Sequence, residues 1–150
     1  ATPGVSQEDH RYPFAGAENP RVSLAVLNLE LRKTVWMRPS IGDGEGEREL
    51  YIARVNWAPD GSLLLQTQDR AQSTLELHRG DPATGSCQLM IREESRIWVN
   101  LHDDLRFLPT PRKPPGLNVD SLPPGSFSFL WSSERTGYAH LYLYTYVAEL

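Results

Sequence analysis

Cysteine is nearly absent from this chain. The one thiol, Cys87, excludes an internal disulfide, and a reducing, cytoplasmic setting is the expectation. Positive charge is not in excess either. Fifteen Lys and Arg stand against 19 Asp and Glu, a formal net charge of −4. No basic surface therefore recommends nucleic acid or an acidic membrane as partner. No apolar run approaches the roughly 20 residues that cross a bilayer. The opening stretch ATPGVSQEDH lacks the basic and apolar regions of a signal peptide. There is no Asn-x-Ser/Thr sequon and no initiator Met, so a piece of a longer chain is expected. Also missing is any window of roughly eleven or more residues with a helical apolar stripe.

What is present reads as β-structure. The 150 residues suit one ordinary domain, and 39% hydrophobic with 23% charged residues is normal for a globular protein. Twelve prolines and 11 glycines favour turns over long helices. Apolar residues alternate with small or polar ones in Val22–Leu31, Tyr51–Ala58, Ser62–Gln68, Ser73–Gly80, Ser126–Ser133 and His140–Val147. Such period-2 runs are the mark of half-buried strands. APDG at Ala58–Gly61 and GDPATG at Gly80–Gly85 supply turn chemistry between them. The expectation is an all-β chain of about nine short strands.

An internal repeat refines this. Gly61-Ser62, Arg70 and Leu75/Leu77 are matched by Gly125-Ser126, Arg135 and Leu141/Leu143, at offsets of 64, 65 and 66 residues. Repeated hairpins without helices point to stacked antiparallel units, the blades of a β-propeller. The inserted Pro109–Gly125 segment carries six prolines and reads as an exposed, semi-rigid loop with no core of its own. At about 40–50 residues per blade the chain supplies about three, too few to close a ring of four to eight. A partial propeller, an arc of a larger ring, is the expected architecture.

The chemistry-bearing residues are sparse. No Gly-x-Ser-x-Gly occurs; GSCQL and GSFSF lack the second glycine, so a serine-hydrolase nucleophile is not expected here. No metal and no cofactor is expected, since the four histidines are scattered and zinc needs three or four converging ligands. The Gly42–Glu49 stretch is calcium-loop-like in composition but not in spacing, and reads as a solvated loop. The densest cluster is RIWVNLHDDLRF, Arg96–Phe107. Its residue types allow a catalytic or metal site, or a strand-to-turn junction in which Asn100 and Asp104 bond local backbone. Trp98, Phe107 and Trp131 are expected in the core, and Glu93-Glu94 in solvent. Arg135 is expected to fix a blade turn through carbonyls, with Gly137 at positive φ. His140 reads as a structural residue at a strand start.

Four stretches carry a resemblance: RYPFAGAENPRVSL (Arg11–Leu24), YIARVNWAPDG (Tyr51–Gly61), WVNLHDDLRF (Trp98–Phe107) and SSERTGYAHLYLY (Ser132–Tyr144). In this order the chain resembles the N-terminal propeller region of the dipeptidyl peptidase IV family. The similarity is to its bacterial members and its dipeptidyl peptidase 8/9-like branch, though the proline-rich insertion departs from the bacterial pattern. The resemblance implies an eight-bladed propeller followed by an α/β-hydrolase domain outside this chain, which carries the Ser-Asp-His triad and removes dipeptides from peptide N-termini. It implies a peptide as partner, together with the remaining blades and the hydrolase, and it allows a homodimer of the parent. The family's ammonium-binding glutamates would lie upstream of Ala1, not at Glu93-Glu94. His102 and Asp103 match positions that line the substrate cavity, while Trp98, Asn100, Asp104, Arg135 and Gly137 keep the structural reading that their residue types give them. The competing expectation is a stand-alone interaction module that binds a protein through its loops.

Overall fold

The computed structural model describes residues 14–39, 49–117 and 120–148. Among them there is no helix. Nine strands form three antiparallel sheets: β1 (Ala25–Asn28) with β2 (Lys33–Trp36); β3 (Leu50–Trp57), β4 (Leu63–Asp69), β5 (Thr74–Gly80) and β6 (Cys87–Glu94) in sequence order; and β7 (Arg106–Phe107), β8 (Phe127–Ser133) and β9 (His140–Tyr146). Each strand pairs with its sequence neighbour, the meander of a propeller blade. The sheets do not close into a barrel. They are consistent with successive blades of a partial propeller, as the repeat implied.

Turn chemistry joins the hairpins where it was expected. Asp60 Oδ1 accepts the Ser62 N–H at 3.0 Å and the Ser62 hydroxyl at 2.6 Å. Gly61 takes φ +82°, and its N–H donates to the Ala58 carbonyl at 3.0 Å. Between β5 and β6, Asp81 accepts from the Ala83 N–H (2.8 Å) and the Thr84 hydroxyl (2.7 Å). Gly85 closes that turn at φ +78°; a Cβ there would meet the Trp36 carbonyl oxygen at 2.1 Å, so only glycine fits. The Gly85 carbonyl in turn accepts from Arg38 and ties the first sheet to the second.

The middle sheet is covered on both faces. Leu64, Leu75, Leu77 and Ile91 pack against Phe127, Phe129 and Trp131 of the third sheet. Leu63 and Leu65 pack against Val26 of the first and against Leu24 and Met37, which flank its strands. Consecutive residues of β4 thus feed opposite cores, which is why Ser62–Gln68 is buried throughout. Each fully buried Leu or Phe contributes about 1.5–3 kcal/mol relative to exposure. Aromatic stacking adds to the larger core, with Phe127 on Tyr146 at 5.2 Å and Phe129 on Tyr144 at 5.7 Å. The Arg79 guanidinium, held by Asp60 at 2.6 Å, lies 4.5 Å over the Tyr146 ring and ties the two sheets together.

Several expectations need correction. β1 is four residues long, not the full Val22–Leu31 run, because Asn28 to Arg32 turn the chain, with Arg32 at φ 49°. β2, β6 and β7 were not read from the sequence. Leu141 and Leu143 do not repeat the burial of Leu75 and Leu77. They are 65% and 52% exposed, since no described residue covers that face of β9. The proline-rich segment is exposed over most of its described length but is anchored at Arg112, whose N–H donates to Ser128 Oγ and whose carbonyl accepts from Thr145 Oγ1, both at 2.7 Å. Of the Gly42–Glu49 loop, only Glu49 is among the described residues, and Arg11–Pro13 of the first motif also lie outside them.

Candidate functional site

The loop from Ser95 to Leu105 crosses from the second sheet to the third. It is tied down along its course. The Ser95 N–H donates to the Ser73 carbonyl and the Val99 N–H to the Gln72 carbonyl, each at 2.9 Å, and Gln68 Nε2 donates to the Val99 carbonyl at 3.2 Å. Ser95 Oγ accepts the Trp98 N–H at 3.2 Å. Beneath this loop, between β6 and the end of β8, lies a pocket of about 310 Å³. Four acidic residues line it, Glu93, Asp104, Glu134 and, at its edge, Glu94, against one arginine, Arg135, with His102 and Trp98 beside them.

His102 reaches the pocket and Asp103 does not. The His102 ring meets Trp131 edge-on at 4.4 Å. Its Nδ1 accepts the Asp104 backbone N–H at 3.3 Å, which places the proton of the neutral ring on Nε2. Nε2 is buried without a well-formed hydrogen bond, with the Ser132 backbone beside it. Burial holds the imidazole below its ordinary pKa, against the pull of the Asp104 and Glu93 carboxylates. Asp103, 72% exposed, turns instead toward β3 and receives the Arg54 guanidinium through Nε and, at 3.3 Å, Nη2. These hydrogen bonds hold its carboxyl below the usual range.

The motif residues play other parts than their types suggested. Trp98 is no core residue; it is 55% exposed, and its indole N–H donates to Asn100 Oδ1 at 3.0 Å. Asn100 bonds side chains rather than backbone, its amide donating to Glu134 Oε2 at 2.8 Å. Asp104 contributes its backbone N–H to His102, not a carboxylate to the turn. Among the described residues the Arg135 side chain bonds no carbonyl. Its guanidinium donates to the Tyr144 hydroxyl at 2.7 Å and stacks 3.7 Å over Tyr142. Gly137 does take positive φ, +96°. Phe107 and Trp131 lie in the core as expected, and His140 opens β9.

Glu93 is the residue that sequence reasoning missed. It is not solvated. Oε1 accepts the Trp131 indole N–H at 3.1 Å and Oε2 the Ser133 hydroxyl at 2.7 Å. Its neighbour Glu94, on the opposite side of the strand, is exposed. Period 2 separates the two glutamates, and a partner 38 residues away decides which one is structural.

Ser133 Oγ is spent on Glu93, and burial raises the pKa of the Cys87 thiol, so it is not an activated nucleophile. The His78 Nε2 contact with Glu76 Oε2, at 3.1 Å, is sealed within the sheet stack at 2% and 1% exposure. Among the described residues no group of three or more His, Cys, Asp or Glu is placed to hold a metal ion, and no helix is long and apolar enough to cross a membrane.

Successive antiparallel meanders of two, four and three strands, with a pocket where the second and third meet, are consistent with an arc of propeller blades. The comparisons make this specific. The family described as the dipeptidyl peptidase IV N-terminal region matches residues 3–149. Dipeptidyl aminopeptidase B of Saccharomyces cerevisiae is 27% identical over 87% of this chain and 16% of its own length. Venom dipeptidyl peptidase 4 of Apis mellifera is 28% identical over 69% of this chain and 14% of its own. Dipeptidyl peptidase 8 of Homo sapiens is 24% identical over 95% of this chain and 18% of its own. The chain belongs to the dipeptidyl peptidase IV N-terminal region family. It spans less than a fifth of the length of these relatives.

Proposed function

We propose that this chain is a non-catalytic stretch of the propeller of a dipeptidyl peptidase IV-like serine exopeptidase, and that its Ser95–Leu105 loop forms part of the cavity wall that admits and orients the peptide. The observation that carries the reading is the pocket of about 310 Å³ at the junction of two sheets, roofed by the loop on which His102 and Asp103 sit. A fixed, acidic, hydrogen-bonding wall selects and positions a peptide without taking part in the cleavage. The Ser-Asp-His triad belongs, on this reading, to a hydrolase domain elsewhere in the parent. The exposed Leu141 and Leu143 face of β9 is where the next blade of the ring stacks.

The test uses the full-length protein and a Gly-Pro or Ala-Pro chromogenic dipeptide. His102→Ala and Asp103→Ala are expected to lower kcat/KM mainly through KM. Unchanged kinetics in both variants would remove the loop from the cavity. Turnover by residues 1–150 alone, above a heat-inactivated control, would show that the chain carries its own nucleophile.

A further inference from the structure

The pairing of β3 with β4 slips by one residue. Ile52 faces Thr67 and Arg54 faces Gln66, so Ala53 is an extra residue without an opposite number. Such a bulge re-aims the side chain that follows it and leaves a backbone group unpaired. Both consequences meet in Arg54. Nη1 donates to the Ala53 carbonyl at 2.7 Å, while Nε and Nη2 reach across to the Asp103 carboxylate, 49 residues on. A second arginine completes the grip from the other sheet: Arg106 Nη1, on β7, donates to the Asp103 carbonyl at 2.7 Å. The residue next to His102 is thus held by its side chain from one blade and by its backbone from the next.

We propose that Arg54 is a positioning residue for the cavity wall: the bulge at Ala53 aims its guanidinium at Asp103, and the pair fixes the loop that presents His102 to the pocket. This rests on the reading of that loop as a substrate-facing wall. It also changes the part given to Asp103. A carboxylate already engaged by a bidentate guanidinium is not an open receptor for a substrate ammonium. Asp103 acts through the loop it anchors.

The pair is solvent-exposed at 41% and 72%, so its effect is modest. Arg54→Ala in the full-length protein should raise KM for a Gly-Pro chromogenic dipeptide about two- to fivefold with kcat within about twofold. It should also speed amide hydrogen exchange in residues 98–105 without altering exchange in β4 and β5. The charge-swapped Arg54→Asp/Asp103→Arg protein should recover toward wild type in both measurements. If Asp103→Ala raises KM while Arg54→Ala changes neither KM nor loop exchange, the inference is overturned and the cavity reading stands. If KM ignores His102 and Asp103 as well, the cavity reading fails. The exchange data then decide on Arg54 alone: faster loop exchange rescued by the swap supports the anchor, and unchanged exchange overturns it.

Discussion

Two adjacent glutamates should differ sharply in what they do for stability. Glu93→Ala leaves the Trp131 indole N–H, on a side chain with 0% exposure, without an acceptor, and frees the Ser133 hydroxyl as well. An orphaned buried donor costs about 1–3 kcal/mol. The hydroxyl can turn to another partner, so the indole dominates and the expected loss is about 2 kcal/mol. In a unit of this size that lowers the melting point by roughly 4–8 °C. Glu94→Ala removes an exposed side chain and should stay within about 0.5 kcal/mol of wild type. Thermal unfolding followed by tryptophan fluorescence measures both. Glu93→Gln, which keeps one acceptor, should fall between them. A double-mutant cycle with Trp131→Phe sharpens the test, because removing the donor first makes the loss of the acceptor cheaper. The coupling should be about 1 kcal/mol. Equal melting points for the two alanine variants, or strict additivity in the cycle, would refute the assignment of Glu93 as the indole's acceptor.

Gly85→Ala sets a Cβ 2.1 Å from the Trp36 carbonyl at φ +78°. It should cost more than about 2 kcal/mol by urea unfolding, while Gly61→Ala, at φ +82° in open space, should cost only the backbone strain of about 1–2 kcal/mol. Phe129→Ala empties a site with 0% exposure at the centre of the larger core and should cost about 3–5 kcal/mol. The His102 ring, held below its ordinary pKa chiefly by burial, should titrate below about 6.5 in an NMR experiment. The sign for stability follows. As pH falls through the unfolded value the denatured chain takes up the proton first, so stability drops from there down to the folded pKa. His102→Gln should flatten part of that slope. The remainder should survive through His78, whose pKa burial also lowers.

What the sequence disclosed was local. Asp60-Gly61 and Asp81–Gly85 close their turns with their own side chains and backbone, so the hairpins they join were readable without knowing the partners. β6 was not, because Met90 is an extra residue opposite β5 and breaks the alternation that marks a strand. β2 and β7, at four and two residues, are too short to show a period. The site was legible as a cluster but not as an arrangement. His102 and Asp103 are neighbours in sequence, yet one faces the pocket and the other β3. The reasons lie in Trp131 and Arg54, which are distant along the chain. Trp98 was misplaced because tryptophan usually finds a core; here a loop holds it at a rim.

The central claim is that these sheets are neighbouring blades whose connecting loop looks onto a peptide. An electron cryo-microscopy structure of the full-length protein with a bound, non-cleavable Xaa-Pro peptide analogue tests it most directly. The account predicts β3–β6 and β7–β9 side by side in one ring, a further sheet stacked on Leu141 and Leu143, and His102 lining the chamber that holds the peptide. Residues 95–105 on the outer surface of the ring, remote from the ligand, would contradict it.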